Sequence, residues 1–261
     1  MAKTTIAHFT DTHLGQKLVM ADAIAGGKMR YDSEPEEHWD HLRRVLDDIA
    51  ERGISRIVFG GDIGTADSVP RFFELLERYD FEISVILGNH DAYANVRQYW
   101  DCDNAVEGKL CYSRIDGSLK QIFIDTSVGE LGGSQRAWLA DELVSVETAV
   151  LFAHHPVLPL DTPVDKSGAA LRDREETRSL LLDSRCKISI FCGHYHMYDA
   201  TGDANIRQFV TPSTSYQIVK ASETLQTDPE TFGYQMLTFE DARMETQTVM
   251  LTADQVSRRS R

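Results

Sequence analysis

The sequence predicts a layered α/β fold, and three observations support this prediction. Short apolar runs rich in Ile, Val and Phe recur up to Cys192, and their length suits buried strands. Amphipathic helix patterns lie between these runs. The last third of the chain instead shows successive strand-like runs separated by turns. Alternation of strands and helices followed by a strand-rich segment is typical of sheets layered with helices.

Six apolar runs make up the candidate strands of the first sheet. They are Thr5–Phe9, Arg56–Phe59, Ile83–Leu87, Gln121–Asp125, Ala149–Ala153 and Lys187–Cys192. Four helix patterns lie between them, at Asp40–Arg52, Ser68–Arg78, Ser134–Leu143 and Arg172–Leu182. In the first of these helices the apolar residues recur at i, i+3, i+4 and i+7, and Gly53 follows as a C-terminal stop.

The last third of the chain predicts four further strands. They are Ile206–Val210, Ser215–Val219, Phe232–Phe239 and Met244–Leu251. We expect residues 206–251 to complete a second, more antiparallel sheet that packs on the first. No Pro/Gly/Ser-rich linker divides the 261 residues, so the sequence predicts one domain over 1–261.

Composition limits the classes of function. The formal net charge of −14 repels polyanions and argues against a dedicated DNA- or RNA-binding role. No apolar run approaches the roughly 20 residues that span a bilayer, and no signal leader precedes the first strand. The cysteines, Cys102, Cys111, Cys186 and Cys192, form no Cys-x-x-Cys pair, although a Cys102–Cys111 bridge is an alternative. A cytoplasmic protein with reduced thiols is expected.

Metal-ligand residue types follow five of the six candidate strands, directly where each strand ends. The motifs are Asp11-Thr12-His13, Gly60-Gly61-Asp62, Gly88-Asn89-His90-Asp91, His154-His155-Pro156 and Gly193-His194-Tyr195-His196. In an open α/β sheet the loops at the carboxyl ends of strands converge. Each motif alone is a common turn, but five together predict one shared site. The other histidines, His8, His38 and His41, are expected at packing or surface positions.

The ligand types indicate the chemistry of this site. None of the motifs contains a thiolate, which disfavours a closed structural zinc site. Mixed Asp, Asn and His donors suit Mn, Fe, Zn or Co ions with open coordination positions. Seven candidate ligands suit two ions that share one carboxylate. Such pairs, about 3.5–4 Å apart, stabilise the attacking and leaving oxygens of a phosphoryl transfer.

The order of these motifs, from Asp11 to His196, resembles the calcineurin-like metallophosphoesterase superfamily. The resemblance implies a four-layer αββα fold, a two-sheet sandwich flanked by helices. It implies one metal ion bound by Asp11, His13 and His196, a second bound by Asn89, His154 and His194, and Asp62 as the bridge. His154 is preferred to His155 because the family's ligand directly follows the strand.

The resemblance also assigns two residues that do not bind metal. His90 is expected to face the substrate, where it steadies the transition state or protonates the leaving alkoxide. Asp91 is expected to hold the imidazole of His90 in one tautomer. A metal-activated hydroxide would attack phosphorus in line.

Secondary patterns narrow the expected substrate. Residues 124–127, 131–139 and 211–215 resemble class III cyclic-nucleotide phosphodiesterases and the related bacterial glycerophosphodiesterases. We therefore expect a phosphodiesterase acting on a small phosphoester, with no stable nucleic-acid partner and no membrane contact. The alternatives are a phosphomonoesterase or protein phosphatase, a nuclease of the same superfamily, and a non-enzymatic module. A homodimer is left open.

Overall fold

The computed structural model describes residues 3–19, 30–32, 35–100, 105–106, 108–117, 119–222, 225–240 and 243–253. Its helices are α1 (Pro35–Glu51), α2 (Val69–Leu76), α3 (Tyr93–Val96), α4 (Gly132–Glu142), α5 (Pro163–Lys166) and α6 (Arg174–Asp183). Its strands are β1 (Thr4–Phe9), β2 (Lys17–Val19), β3 (Arg30–Asp32), β4 (Arg56–Phe59), β5 (Glu82–Val85), β6 (Ala105–Val106), β7 (Lys109–Leu110), β8 (Tyr112–Asp116), β9 (Leu119–Phe123), β10 (Thr148–Phe152), β11 (Lys187–Cys192), β12 (Asp199–Asp203), β13 (Ile206–Val210), β14 (Gln217–Ile218), β15 (Thr227–Asp228), β16 (Thr231–Glu240) and β17 (Arg243–Thr252).

Two large sheets form the centre of the protein. The first has the order β17-β16-β1-β4-β5, with β1, β4 and β5 parallel. The second has the order β12-β13-β11-β10-β9-β8, with β13, β11, β10 and β9 parallel and an antiparallel strand at each edge. The α/β prediction with two sheets is therefore confirmed.

Strand β10 shows how the layers pack. Val150 and Phe152 lie in the core that also contains the first sheet, α1 and α2. Ala149 and Leu151 alternate with them and pack in a second core with α4 and α6. Because successive strand side chains point to opposite faces, an uninterrupted apolar run is what a strand buried on both faces requires. The sheets therefore lie between two helix layers.

The expectation that residues 206–251 complete the second sheet is wrong for most of that segment. Only β13 joins the second sheet, whereas β16 and β17 extend the first sheet beside β1. The aromatic side chains of Phe232 and Tyr234 are buried in the core of the first sheet, and the Tyr234 hydroxyl donates to Asp48 of α1. Period-two alternation identifies a strand but not the sheet edge on which it pairs.

The bounds of other helices and strands also differ from the predicted ones. Helix α1 begins at Pro35, five residues before the predicted start, and its first turn carries Glu36 and Glu37, which favour the positive end of the helix dipole. The predicted strand at 215–219 is reduced to β14, paired with β15. The edge strands β8 and β12 were not predicted.

No helix among the described residues is long and apolar enough to cross a membrane. Cys186 and Cys192 are buried free thiols. Cys102 lies outside the described residues, and the alternative bridge to Cys111 therefore lies outside them too.

Candidate metal centre

The carboxyl ends of β1, β4, β10 and β11 bring the predicted ligands to one place between the sheets. The His196 Nε2 atom lies 3.3 Å from Asp11 Oδ1, and His154 Nε2 lies 3.3 Å from Asp62 Oδ2. The His13 Nε2 atom lies 3.6 Å from Asp62 Oδ2. These five residues are 4 % exposed or less, so their polar atoms face one another rather than solvent.

The described residues contain three groups whose ligand atoms all lie within 4.8 Å of one another and could hold a metal ion. The groups are Asp11–His13–His196, His13–Asp62–His90 and Asp62–His154–His194. Six of the seven predicted ligands belong to them, and Asp62 belongs to two. The seventh, Asn89, has an exposed side chain and follows Gly88, which directly contacts Asp62.

Most of these ligands adopt a backbone conformation that is rare for residues with side chains. Of eight described non-glycine residues with positive φ, five are predicted ligands: Asp11 (57°), His13 (42°), Asp62 (63°), His194 (67°) and His196 (50°). Such conformations cost about 1–3 kcal/mol each and concentrate at functional sites. The rest of the fold must therefore hold them in place.

Hydrogen bonds from distant segments hold the Asp11–His13 turn. The backbone N–H of Asp11 donates to Gly61 O at 2.9 Å, and its carbonyl accepts from the hydroxyls of Ser213 and Ser215. The residue between the two ligands, Thr12, turns away from the site and donates its hydroxyl to Ile63 O at 2.9 Å. The spacing Asp-x-His thus places two ligands on one side and an anchor on the other.

The turn from His194 to His196 is built in the same way. The backbone N–H of His194 donates to Asp11 Oδ2 at 3.0 Å. The intervening Tyr195 is buried and donates its hydroxyl to Asp165 Oδ2 at 3.0 Å. Gly193 permits this approach, because a Cβ at its position would lie 2.4 Å from Asp11 Oδ2.

One ring nitrogen of each histidine ligand faces a hydrogen-bond acceptor. The pairs are His154 Nδ1 with Gly60 O at 2.8 Å, His194 Nε2 with Ala169 O at 2.9 Å, His196 Nδ1 with Tyr216 O at 3.1 Å, and His13 Nδ1 with Gln16 Oε1 at 3.2 Å. Because these oxygens only accept, the ring nitrogen facing each one carries the proton. The second nitrogen of each ring is then the atom that can offer a lone pair to a metal ion once it carries no proton.

The second nitrogens of these rings point into the cluster. His154 Nε2 is buried and makes no hydrogen bond with the described residues. The Nε2 atoms of His13 and His196 lie 3.1 Å apart, although both rings already donate from Nδ1. Buried acceptors that face one another are unfavourable unless they share a cation. The residues present therefore fit divalent metal ions.

The electrostatics of the centre also favour cations. Burial raises the pKa values of Asp11 and Asp62, but the neighbouring histidines outweigh it and bring both pKa values well below the usual range. Burial lowers the pKa of His154, but Asp62 and Asp11 raise it to about 10. Burial lowers the pKa of His13 to about 3. Asp11, Asp62 and His13 are thus in the protonation states in which these groups bind metals, whereas His154 must lose a proton when a metal binds.

Asp91 and His90 take up positions around Asp62. The Asp91 carboxylate accepts hydrogen bonds from the backbone N–H groups of Asp62 at 2.7 Å, Ile63 at 2.9 Å and Gly88 at 2.9 Å. Burial, reinforced by the charge of Asp62, raises the pKa of Asp91 to about 7. These contacts make Asp91 a clamp between two ligand loops, and its orientation of His90 stays a prediction.

His90 is half-buried at the edge of the cluster. Its backbone N–H donates to Asp62 Oδ1 at 2.8 Å, and its ring centroid lies 5.1 Å from that of His13. The imidazole also belongs to one of the three ligand groups. Its position therefore allows it to face a substrate, as predicted, or to bind a metal.

Two histidines of α1 support the site, and the sequence did not indicate this role. The Nδ1 atom of His38 lies 2.7 Å from the carbonyl of His13, and Nδ1 of His41 lies 2.8 Å from that of Ser215. Both side chains are buried, so a surface position is wrong for them. Their spacing of three residues on one helix face is the signal that could have revealed a shared role.

His155 and the pattern at 124–139 lie behind the ligands. The Nδ1 atom of His155 is 2.9 Å from Thr126 Oγ1, and its ring centroid is 4.2 Å from that of His194. The Gln135 side chain accepts from the backbone N–H of Asp125 at 2.7 Å. This pattern therefore supports the His194 side of the centre, while His154 supplies the inward-facing nitrogen.

Comparison with known proteins agrees with this geometry. The family model described as calcineurin-like phosphoesterase matches residues 4–198. The chain is 29% identical over 233 residues to a cAMP/cGMP dual specificity phosphodiesterase from Mycobacterium tuberculosis, covering 81% of this chain and 67% of the relative. It is 25% identical over 255 residues to a probable cyclic nucleotide phosphodiesterase from a Pseudoalteromonas species, covering 90% of this chain and 88% of the relative.

A solved structure shows the same fold. The crystal structure of a dimetal phosphatase from Danio rerio superposes with a TM-score of 0.66 at 12% identity, covering 95% of this chain and 98% of that one. The family match includes both ligand turns and the strands of both sheets up to β11. The protein is a phosphoric ester hydrolase, and it belongs to the calcineurin-like phosphoesterase family.

Proposed function

We propose that this protein hydrolyses a small phosphodiester, of cyclic nucleotide or glycerophosphodiester type, at a centre of two metal ions. The observation that carries the proposal is the shared position of Asp62. Its carboxylate belongs to one ligand group with His154 and His194, and to another with His13 and His90. A carboxylate between two sets of imidazoles suits a bridging ligand of two ions better than a ligand of one.

The proposed ligand sets follow from the geometry of the clusters. Asp11, His13 and His196 would hold one ion and His154 and His194 the other, with Asp62 between them. The Asn89 amide is added to the second set on the family resemblance. Mixed oxygen and imidazole donors without thiolates fit Mn, Fe, Zn or Co. When bound, such ions supply a hydroxide nucleophile near neutral pH and neutralise charge on the phosphoryl oxygens.

The remaining chemistry belongs to residues of the chain. His90 is half-buried beside Asp62 and His13, where its imidazole could donate a proton to the leaving oxygen. Asp91 keeps the Asp62 loop against Gly88 through three backbone hydrogen bonds. Preorganised donors at the site reduce the reorganisation that accompanies charge development.

The charge of the chain supports a small substrate. A net charge of −14 opposes stable binding of nucleic acid, which argues against the nuclease alternative. The named functions of the two bacterial relatives favour a diester over a monoester. A cytoplasmic location fits this substrate class, and a homodimer is compatible with it.

The test joins metal analysis to a substrate panel with added Mn²⁺. We expect turnover of bis-aryl phosphate, cyclic AMP or a glycerophosphodiester to exceed turnover of an aryl monophosphate. Asp62→Ala should lose metal and activity together, whereas His90→Ala should keep metal and lose rate by about 10²–10⁴-fold. Asp161→Ala, at an exposed ion pair with Lys166, serves as the control and should change neither.

Two results would contradict the proposal. Faster turnover of the monoester than of the diesters would contradict the proposed diester substrate and indicate a phosphomonoesterase. Full metal content and full turnover in Asp62→Ala would exclude the bridging role of this carboxylate.

A further inference from the structure

The four histidine ligands of the centre differ in the group that accepts the hydrogen bond from one of their ring nitrogens. For His154, His194 and His196 the acceptor is a backbone carbonyl. At His13 the acceptor is the side-chain amide oxygen of Gln16, 3.2 Å from Nδ1. A backbone carbonyl is fixed by the fold, but a side-chain amide depends on its own rotamer and on the residue type. Of the four, His13 is therefore the one whose hydrogen-bond acceptor a single side-chain substitution can remove.

The local turn places Gln16 for this contact. Its backbone N–H donates to the carbonyl of His13 at 2.9 Å, which folds the chain back so that both side chains lie on the same side. The same carbonyl faces Nδ1 of His38 at 2.7 Å. The ring of His13 is 2 % exposed, whereas Gln16 is half-buried and immediately precedes β2. Gln16 thus connects a buried ligand to the start of the β2–β3 hairpin.

The hydrogen bond has a chemical consequence for the cluster. An amide oxygen opposite Nδ1 stabilises the tautomer that carries its proton there, and Nε2 then carries the lone pair that can bind a cation. His13 Nε2 lies 3.1 Å from His196 Nε2 and 3.6 Å from Asp62 Oδ2, so this lone pair points at the centre of the ligand group. Without an acceptor at Nδ1, the ring could carry its proton on Nε2, where it would block metal binding.

We propose that Gln16 is a positioning residue that fixes the tautomer of His13 and thereby sets the metal affinity of the Asp11–His13–His196 position. The inference rests on the proposed two-metal function. Loss of a hydrogen-bond partner behind a metal ligand typically lowers metal affinity about 10- to 100-fold. The Asp62–His154–His194 position does not depend on Gln16, because its histidines are held by the carbonyls of Gly60 and Ala169.

The experiment titrates the metal-free full-length protein with Mn²⁺ in a calorimeter. Gln16→Met keeps the length of the side chain but removes the acceptor, and Gln16→Glu keeps an acceptor oxygen. Gln98→Met is the matched control, because Gln98 is exposed and its side chain donates to Ala94 O, its one side-chain hydrogen bond among the described residues. Thermal unfolding of each metal-free variant verifies that the fold is intact.

We expect two binding steps in the wild-type protein. Gln16→Met should weaken one step about 10- to 100-fold and leave the other unchanged. Gln16→Glu should restore the weakened step, and Gln98→Met should match the wild type. A rescue by Glu distinguishes a role in tautomer control from a role in packing, because Met and Glu are of similar length.

Three outcomes would overturn the inference. Wild-type affinity in both steps of Gln16→Met would show that the amide does not position His13. Equal weakening in the Met and Glu variants would assign Gln16 a packing role. Absence of any Mn²⁺ binding by the wild-type protein would overturn the proposed function along with the inference, whereas the first two outcomes leave that function intact.

Discussion

Gly88 offers a stringent test of how the centre is assembled. Its φ is not among the positive values, so the left-handed conformation does not explain a glycine here. Space explains it, because a Cβ at this position would lie 2.1 Å from Asp62 Oδ1 and 2.6 Å from the Asp62 backbone nitrogen. The side chain of Asp62 could turn away, but its backbone nitrogen is held by Asp91. Gly88→Ala must therefore separate the two ligand loops.

The expected effect follows from these distances. Relief of the contact requires a displacement of roughly 1 Å to reach ordinary van der Waals separation. Overpacking of this kind costs about 1–3 kcal/mol in the free energy of unfolding. A shift of this size at the proposed bridging carboxylate should also lower turnover about 10²-fold. We therefore expect Gly88→Ala to lose stability, Mn²⁺ affinity and activity together.

Gly133→Ala is the matched control, because a Cβ there meets nothing within 4 Å. The residue lies in α4, where alanine should raise the free energy of unfolding by about 0.5–1 kcal/mol. Urea unfolding and Mn²⁺ titration of both variants measure the difference. Gly88→Ala with wild-type stability and metal affinity would refute the reasoning, since the loops would then have room for a methyl group.

Three further predictions concern stability. Tyr112→Phe removes a buried hydroxyl that donates to Val85 O and accepts from Val85 N. Urea unfolding should therefore show a free energy of unfolding that is lower by about 1–3 kcal/mol. An unchanged value would contradict this link between the sheets. Burial lowers the pKa of His8 to about 3, so the unfolded chain alone gains this proton as pH falls below about 6.5. His8 alone should therefore lower stability by up to about 1.4 kcal/mol per pH unit towards pH 3, and His8→Gln should reduce the measured slope by that amount, while the other buried histidines keep their share. Chelation of the metal should lower the free energy of unfolding by about 2.7 kcal/mol, relative to protein at a metal concentration of 100 times Kd. An unchanged unfolding midpoint would exclude a tight metal site.

The sequence predicted the central strands well because their burial is encoded locally. The predicted bounds of Arg56–Phe59, Lys187–Cys192 and Ile206–Val210 agree with β4, β11 and β13. Towards their carboxyl ends the first two are apolar and buried on both faces, which distinguishes central parallel strands from half-exposed ones. Their carboxyl ends also carry candidate ligands, so the prediction of a shared site required only the rule that neighbouring loops converge.

The edge strands of the second sheet, β8 and β12, could not be predicted because their sequences are polar. Strand β12 reads DATGD and β8 reads YSRID, and neither shows the apolar run of a central strand. Edge strands commonly carry charged side chains, which oppose pairing with other chains. The placement of β16 beside β1 depends on contacts such as Tyr234 with Asp48, which join residues 186 positions apart. Local patterns contain no information about such a pairing.

The spacing of the ligand motifs has a physical reason that only the structure supplies. In Asp11-x-His13 and His194-x-His196 both outer residues have positive φ, and the central residue anchors the turn on the opposite side. Glycine would relieve this strain but would remove the ligand. The turns are instead held by Gly61, Ser213 and Ser215, and by Asp11 itself, which accepts the N–H of His194. Because these partners lie in loops that follow β1, β4 and β13, far apart in the sequence, the short motifs identify the ligands, but the whole fold is needed to hold them in their strained conformation.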